Sequence, residues 1–181
     1  STEVTAGRGP AGGIVAVNQA GVRLEECENQ GSVKSDQGYA GGIAAENYGT
    51  ITGCFVGYSG VNQKTAALTS RGTKEIGAVC AINHENAEIQ NSTLYDNVIL
   101  EGEAQTAGGI AGVNRGTIGH LPTGNEVEEI TSIPQIKLSS GNLTIGGVAG
   151  RNEAGGNISG IKVQGVKFEG FYNYGYMGGI A

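Results

Sequence analysis

One short glycine-rich motif recurs along the whole chain, and such recurrence restricts the fold more than any other feature of the sequence. The motif is a pair of small residues followed by Ile or Val, with Asn five residues after the second small residue. The copies read Gly13-Ile14-Val15-Ala16-Val17-Asn18, Gly42-Ile43-Ala44-Ala45-Glu46-Asn47 and Ala78-Val79-Cys80-Ala81-Ile82-Asn83. They continue with Gly109-Ile110-Ala111-Gly112-Val113-Asn114 and Gly147-Val148-Ala149-Gly150-Arg151-Asn152. Counted from the first small residue, the copies start near 12, 41, 77, 108 and 146, and a sixth begins at 178–181. Successive steps are 29, 36, 31, 38 and 32 residues.

A second box comes after each Asn: an apolar residue, two spacers, then a small or apolar residue. Its members are Leu24 and Cys27, Ile51 and Cys54, Ile89 and Ser92, Ile118 and Leu121, and Ile158 and Ile161. Between the boxes lie turn signals at Ala20-Gly21, Tyr48-Gly49-Thr50, Arg115-Gly116-Thr117 and Ala154-Gly155-Gly156, where Gly would supply positive φ. The third copy has His84-Glu85-Asn86-Ala87 there and lacks the Gly.

One copy alone cannot bury its apolar residues, but stacked copies can. Parallel strands about 4.8 Å apart would set Ile over Ile and Ala over Ala. In an alternating strand, Ile14, Ile43, Val79, Ile110 and Val148 share a face with the small fourth residue and with Asn18, Asn47, Asn83, Asn114 and Asn152. That face is expected inside, with the Asn amides forming a ladder. The fifth position varies among Val17, Glu46, Ile82, Val113 and Arg151, so the opposite face should be at least partly exposed. The segments 60–74 and 123–135 read as polar loop insertions. The expected fold is an all-β repeat β-solenoid: a single segment over 1–181 with loop insertions. Gly at 34 of 181 residues, mixed with Ile, Val and Thr, makes long helices costly.

The net charge is −6 and no Lys/Arg run occurs, so the electrostatic footprint of nucleic-acid binding is missing. Apolar runs are only a few residues long, far below the ~20 needed for a spanning helix, so direct membrane insertion is not expected. Cys27, Cys54 and Cys80 are odd in number and are expected as free thiols.

The string Gly41-Gly42-Ile43-Ala44-Ala45-Glu46-Asn47-Tyr48-Gly49-Thr50-Ile51-Thr52-Gly53-Cys54 resembles the GLUG motif repeats of bacterial surface proteins, and Gly108 to Ile118 is similar. The third copy departs most, with Gly77-Ala78 for Gly-Gly and Ser92 for Cys. The resemblance implies an extracellular, right-handed parallel β-helix-like array in a longer chain. Such arrays occur in adhesins, and also upstream of the catalytic domain in immunoglobulin A1-cleaving metallopeptidases. Family membership assigns no ligand; regular repetition without a catalytic cluster reads as a stalk or binding platform for a host protein or glycan, stacked on adjoining repeats of the parent chain. The alternative is an accessory array that positions substrate for a peptidase.

No catalytic, cofactor or metal site is expected. His84-Glu85-Asn86-Ala87-Glu88 begins like HExxH, but Glu88 stands where zinc needs its second His. Cys80 lies near His84 in sequence, yet it fills a slot held elsewhere by Val15, Ala44, Ala111 and Ala149, so it reads as a packed thiol. The clusters Glu25, Glu26, Glu28 and Glu126, Glu128, Glu129 read as solvated charge. Tyr172, Tyr174 and Tyr176 are the candidate binding residues, since exposed tyrosines stack on sugar rings. Tyr176 also aligns with Tyr39 in the repeat, which gives it a structural explanation.

Overall fold

A computed structural model describes residues 3–58, 65–71, 74–95, 97–119, 128–130, 135–139, 142–163, 167–170 and 174–180. Every described strand pairing is parallel, and each joins a strand to its equivalent one coil away. The chain is a parallel β-solenoid.

Four long sheets run along it. The first contains Glu3–Ala6, Ser32–Ser35, Ala66–Ser70, Val98–Gly102, Gln135–Leu138 and Lys167–Gly170. The second contains Ala11–Gly12, Ala40–Gly41, Glu75–Gly77, Thr106–Gly108, Asn142–Gly146 and Tyr174–Gly178. The third carries the repeated motif: Val15–Asn18, Ala44–Asn47, Cys80–Asn83, Ala111–Asn114 and Ala149–Asn152. The fourth carries the second box: Arg23–Glu25, Thr50–Thr52, Glu88–Gln90, Thr117–Gly119 and Asn157–Ser159.

In-register columns of like residues build the core. Leu24, Ile51, Ile89, Ile118 and Ile158 stack in the fourth sheet. Val4, Val33, Leu68, Leu100, Ile136 and Phe168 stack in the first. That second column corrects the loop assignment of 60–74, because Ala66–Ser70 is a core strand and Leu68 is fully buried. Its polar flanks hide a short apolar centre. Part of 123–135 is also strand, with Glu128–Ile130 paired to Ile161–Val163.

Strict alternation through the motif also fails. Ile43 and its neighbour Ala44 both belong to the core cluster, as do Val79 with Cys80 and Ile110 with Ala111. The chain turns a corner there: the amides of Ile43 and Ala44 both donate to the Val79 carbonyl, at 2.9 and 3.2 Å. A corner resets the two-residue period, so consecutive side chains can point the same way. The fifth position is not uniformly exposed either, since Ile82 and Val113 are in-register neighbours and both are buried.

The first glycine of each pair has a steric cause. A Cβ on Gly12, Gly41, Gly77, Gly108 or Gly146 would lie within 1.7–1.9 Å of the carbonyl oxygen three residues on. No side chain fits, and the third copy keeps Gly77 while its second position is filled by Ala78. Among the turns, Gly21 and Gly155 do have positive φ, and Asn86 takes the same role in the third copy at 63°. Gly49 and Gly116 are not in that region; a Cβ there would meet the Val22 or Ala87 carbonyl at 2.2–2.3 Å.

Candidate functional site

The five motif asparagines form one continuous ladder. The Nδ2 of each of the first four donates to the Oδ1 of the Asn in the next coil: Asn18 to Asn47 (2.8 Å), Asn47 to Asn83 (2.9 Å), Asn83 to Asn114 (2.8 Å) and Asn114 to Asn152 (2.8 Å). The same Nδ2 atoms approach backbone carbonyls of the fourth sheet, as Asn83 does with Thr117 at 3.3 Å. Buried amides satisfied this way hold the register of the coils. The ladder is a structural spine, since Asn47, Asn83 and Asn114 are fully buried.

The residue directly after each ladder Asn lies on the outside of the coil. These residues are Gln19, Tyr48, His84, Arg115 and Glu153. Four of their amides donate one coil back, from Tyr48 to the Asn18 carbonyl, His84 to Asn47, Arg115 to Asn83 and Glu153 to Asn114. The backbone thus sets unlike side chains at the sheet spacing on one lateral face. Tyr48 and His84 stack with ring centroids 3.8 Å apart and planes 8° apart. Glu46 ties both rings, with its carboxylate 2.9 Å from His84 Nε2 and accepting from the Tyr48 hydroxyl at 3.2 Å. Burial, with Glu46 beside it, raises the Tyr48 phenol above its ordinary pKa.

One coil further, Arg115 bonds Glu153 at 2.7 Å, and Arg151 reaches Glu153 at 3.3 Å and Glu75 at 3.4 Å. Tyr48, His84, Glu85 and Arg115 line an open groove of about 350 Å³. No ligand ring fits between Tyr48 and His84, because they already stack. A ligand would lie beside them, against ring carbons, with Arg115 donating and Glu85 accepting. A second, larger groove of about 500 Å³ lies on the first sheet between Thr69, Arg71, Glu101, Glu103, Lys137 and Ser139, with no aromatic group among the described residues of its lining.

Comparison of the chain with family models, curated proteins and solved structures gives no match.

Of the tyrosines proposed from sequence, Tyr172 lies outside the described residues. Tyr174 opens the strand Tyr174–Gly178, opposite Asn142, and Tyr176 is 81% exposed. The HExxH-like segment is not helical: residues 84–87 make a turn, closed by the Ala87 amide on the His84 carbonyl at 3.1 Å, and Glu88 begins a strand. Cys80 is fully buried in its small-residue slot, which pushes its thiol far above the ordinary range, while His84 engages Glu46 and Tyr48. Glu25 pairs with Arg23 at 3.0 Å, and Glu126 lies outside the described residues. Among the described residues no group of three or more His, Cys, Asp or Glu is placed to hold a metal.

From sequence alone His84 reads as part of a polar turn, with no link to Tyr48 or Arg115. The signal is nonetheless present, because all three directly follow a ladder Asn. Only the equality of their place in the repeat links residues 48, 84 and 115.

Proposed function

We propose that the chain is a non-catalytic repeat segment of a bacterial surface protein, extracellular in location, whose lateral face binds a host protein or glycan. The observation that carries this reading is the Tyr48–His84–Arg115 column beside a ladder of buried amides. A rigid spine presents an aromatic pair, a guanidinium and carboxylates at fixed spacing, which suits recognition more than chemistry. Recognition on rigid scaffolds commonly uses such an outward, variable position beside a fixed structural one. The resemblance of the repeats to GLUG motifs supports the surface location.

The test is binding of the purified chain to arrayed host glycans and extracellular host proteins, repeated with a Tyr48→Ala, Arg115→Ala double variant. Both substitutions lie outside the core, so circular dichroism should be unchanged. Loss of a wild-type binding signal by at least tenfold supports the groove. Equal binding by both proteins would move the contact surface elsewhere.

A further inference from the structure

We propose that Cys27 and Cys54 form an oxidisable dithiol, a modification site that closes into a disulfide between neighbouring coils on contact with a small-molecule disulfide oxidant. Three observations place the two thiols together. Phe55 pairs in register with Glu28, and the Phe55 amide donates to the Cys27 carbonyl at 2.8 Å, so Cys54 stands directly over Cys27 one coil on. Each cysteine follows a residue in the left-handed region, Glu26 at φ 53° and Gly53 at φ 60°, so the two corners deliver their side chains alike. Each thiol also makes the same local bond, donating to the carbonyl two residues back: Cys27 to Glu25 at 3.5 Å and Cys54 to Thr52 at 3.4 Å.

Ser92 repeats the pattern in the third coil, after Asn91 at φ 48°, with its hydroxyl donating to the Gln90 carbonyl at 3.1 Å. Three like side chains therefore point one way in a column, and two of them are thiols. Stacked parallel strands lie ~4.8 Å apart, inside the roughly 4.4–6.8 Å range of Cα separations that a disulfide spans. Burial raises the Cys54 thiol above its ordinary pKa, and the adjacent Cys27 thiol adds to the rise.

Exposure sets the order of events, since Cys27 is partly exposed and Cys54 is buried. The Cys27 thiolate attacks one sulfur of an oxidant such as oxidised glutathione. The oxidant's sulfur–sulfur bond breaks, one glutathione thiolate leaves, and Cys27 is held as a mixed disulfide. Cys54 then loses its proton to solvent and attacks the Cys27 sulfur. The second glutathione leaves, so two protein thiols are oxidised as one oxidant disulfide is reduced to two thiols. Cys80 has no part in this, because its in-register neighbours are Ala44 and Ala111.

The reduced, folded chain would be treated with oxidised glutathione, alkylated, unfolded and mapped by peptide mass spectrometry. The expected result is a predominant Cys27–Cys54 linked peptide, absent in Cys27→Ser and in Cys54→Ser, with Cys80 still reduced. Amide exchange across 28–53 should slow in the oxidised protein. A stable glutathione adduct on Cys27 with Cys54 free would overturn the proposal. So would a dimer linked through Cys27, or two unreacted thiols under conditions that oxidise an exposed dithiol control. The mapping needs only the unmodified sequence, so a poorly folding variant does not compromise it.

Discussion

Ile14 and Ile43 hold the same place in the repeat, yet Ile14 is 41% exposed and Ile43 is fully buried. The asparagines differ in the same sense. Asn47 Oδ1 accepts from Asn18, whereas Asn18 Oδ1 is buried without a partner among the described residues. At the opposite end Asn152 is exposed and its Nδ2 turns back to the Gly156 carbonyl at 3.1 Å. Among the described residues Ile43 and Asn47 gain burial and hydrogen bonds from coils on both sides, and Ile14 and Asn18 from one. Val148 in the fifth coil stays buried, because its amide and that of Ala149 donate onward to the Ile180 carbonyl. A motif residue in this chain is thus worth what its neighbours make of it, as expected for a quasi-one-dimensional array.

The largest effect should come from charging the middle of the stack. Ile110→Asp places a carboxylate between Val79 and Val148 and should cost on the order of 5 kcal/mol, enough to abolish cooperative folding. A thermal melt matching the wild type would show that the inward face is misassigned. Next, Ile43→Ala should cost about 2–5 kcal/mol and Ile14→Ala under about 1 kcal/mol, because only the first leaves a sealed cavity. Denaturant titration of the two variants compares inner and outer coils directly, and equal losses would remove the distinction. Asn83→Ala leaves Asn47 Nδ2 only its 3.3 Å bond to the Glu88 carbonyl and takes the ladder donor from Asn114 Oδ1, and should cost about 2–4 kcal/mol, against roughly 1 kcal/mol or less for Asn152→Ala. Amide exchange in coils either side of the substitution would reveal whether the ladder couples them. Arg151→Ala is the smallest, at about 0–1 kcal/mol, since its partners Glu75 and Glu153 keep access to water. A drop in melting temperature as large as that of Asn83→Ala would give this ion-pair cluster a structural role it does not show.

Much of the fold is legible in the residues. The Asn spacing sets the register of the third sheet, and the second box sets that of the fourth. The first sheet is not legible, because Val4, Val33, Leu68, Leu100, Ile136 and Phe168 share only apolarity and sit in dissimilar surroundings. Ala66–Ser70 shows why: a strand needs just one or two inward apolar residues when its partners complete the column. The turn of the third copy escapes the pattern for a related reason. Asn86 lacks the glycine signature but tolerates the left-handed region through its short polar side chain.

The candidate site is less legible. Tyr48, His84 and Arg115 differ from coil to coil, as an outward position can, so no repeated letter marks them. By itself the sequence determined the stacking, the identity of the ladder and the first glycine of every pair, because these depend on one spacing repeated along the chain. The stacking of Cys54 on Cys27 likewise follows from their equal place in the second box. Only the tertiary structure decided that consecutive residues at the Gly-Ile corner both point inward and that Tyr48 lies against His84. Those contacts join residues some thirty positions apart. They depend on backbone turns and side-chain directions that local pattern does not encode.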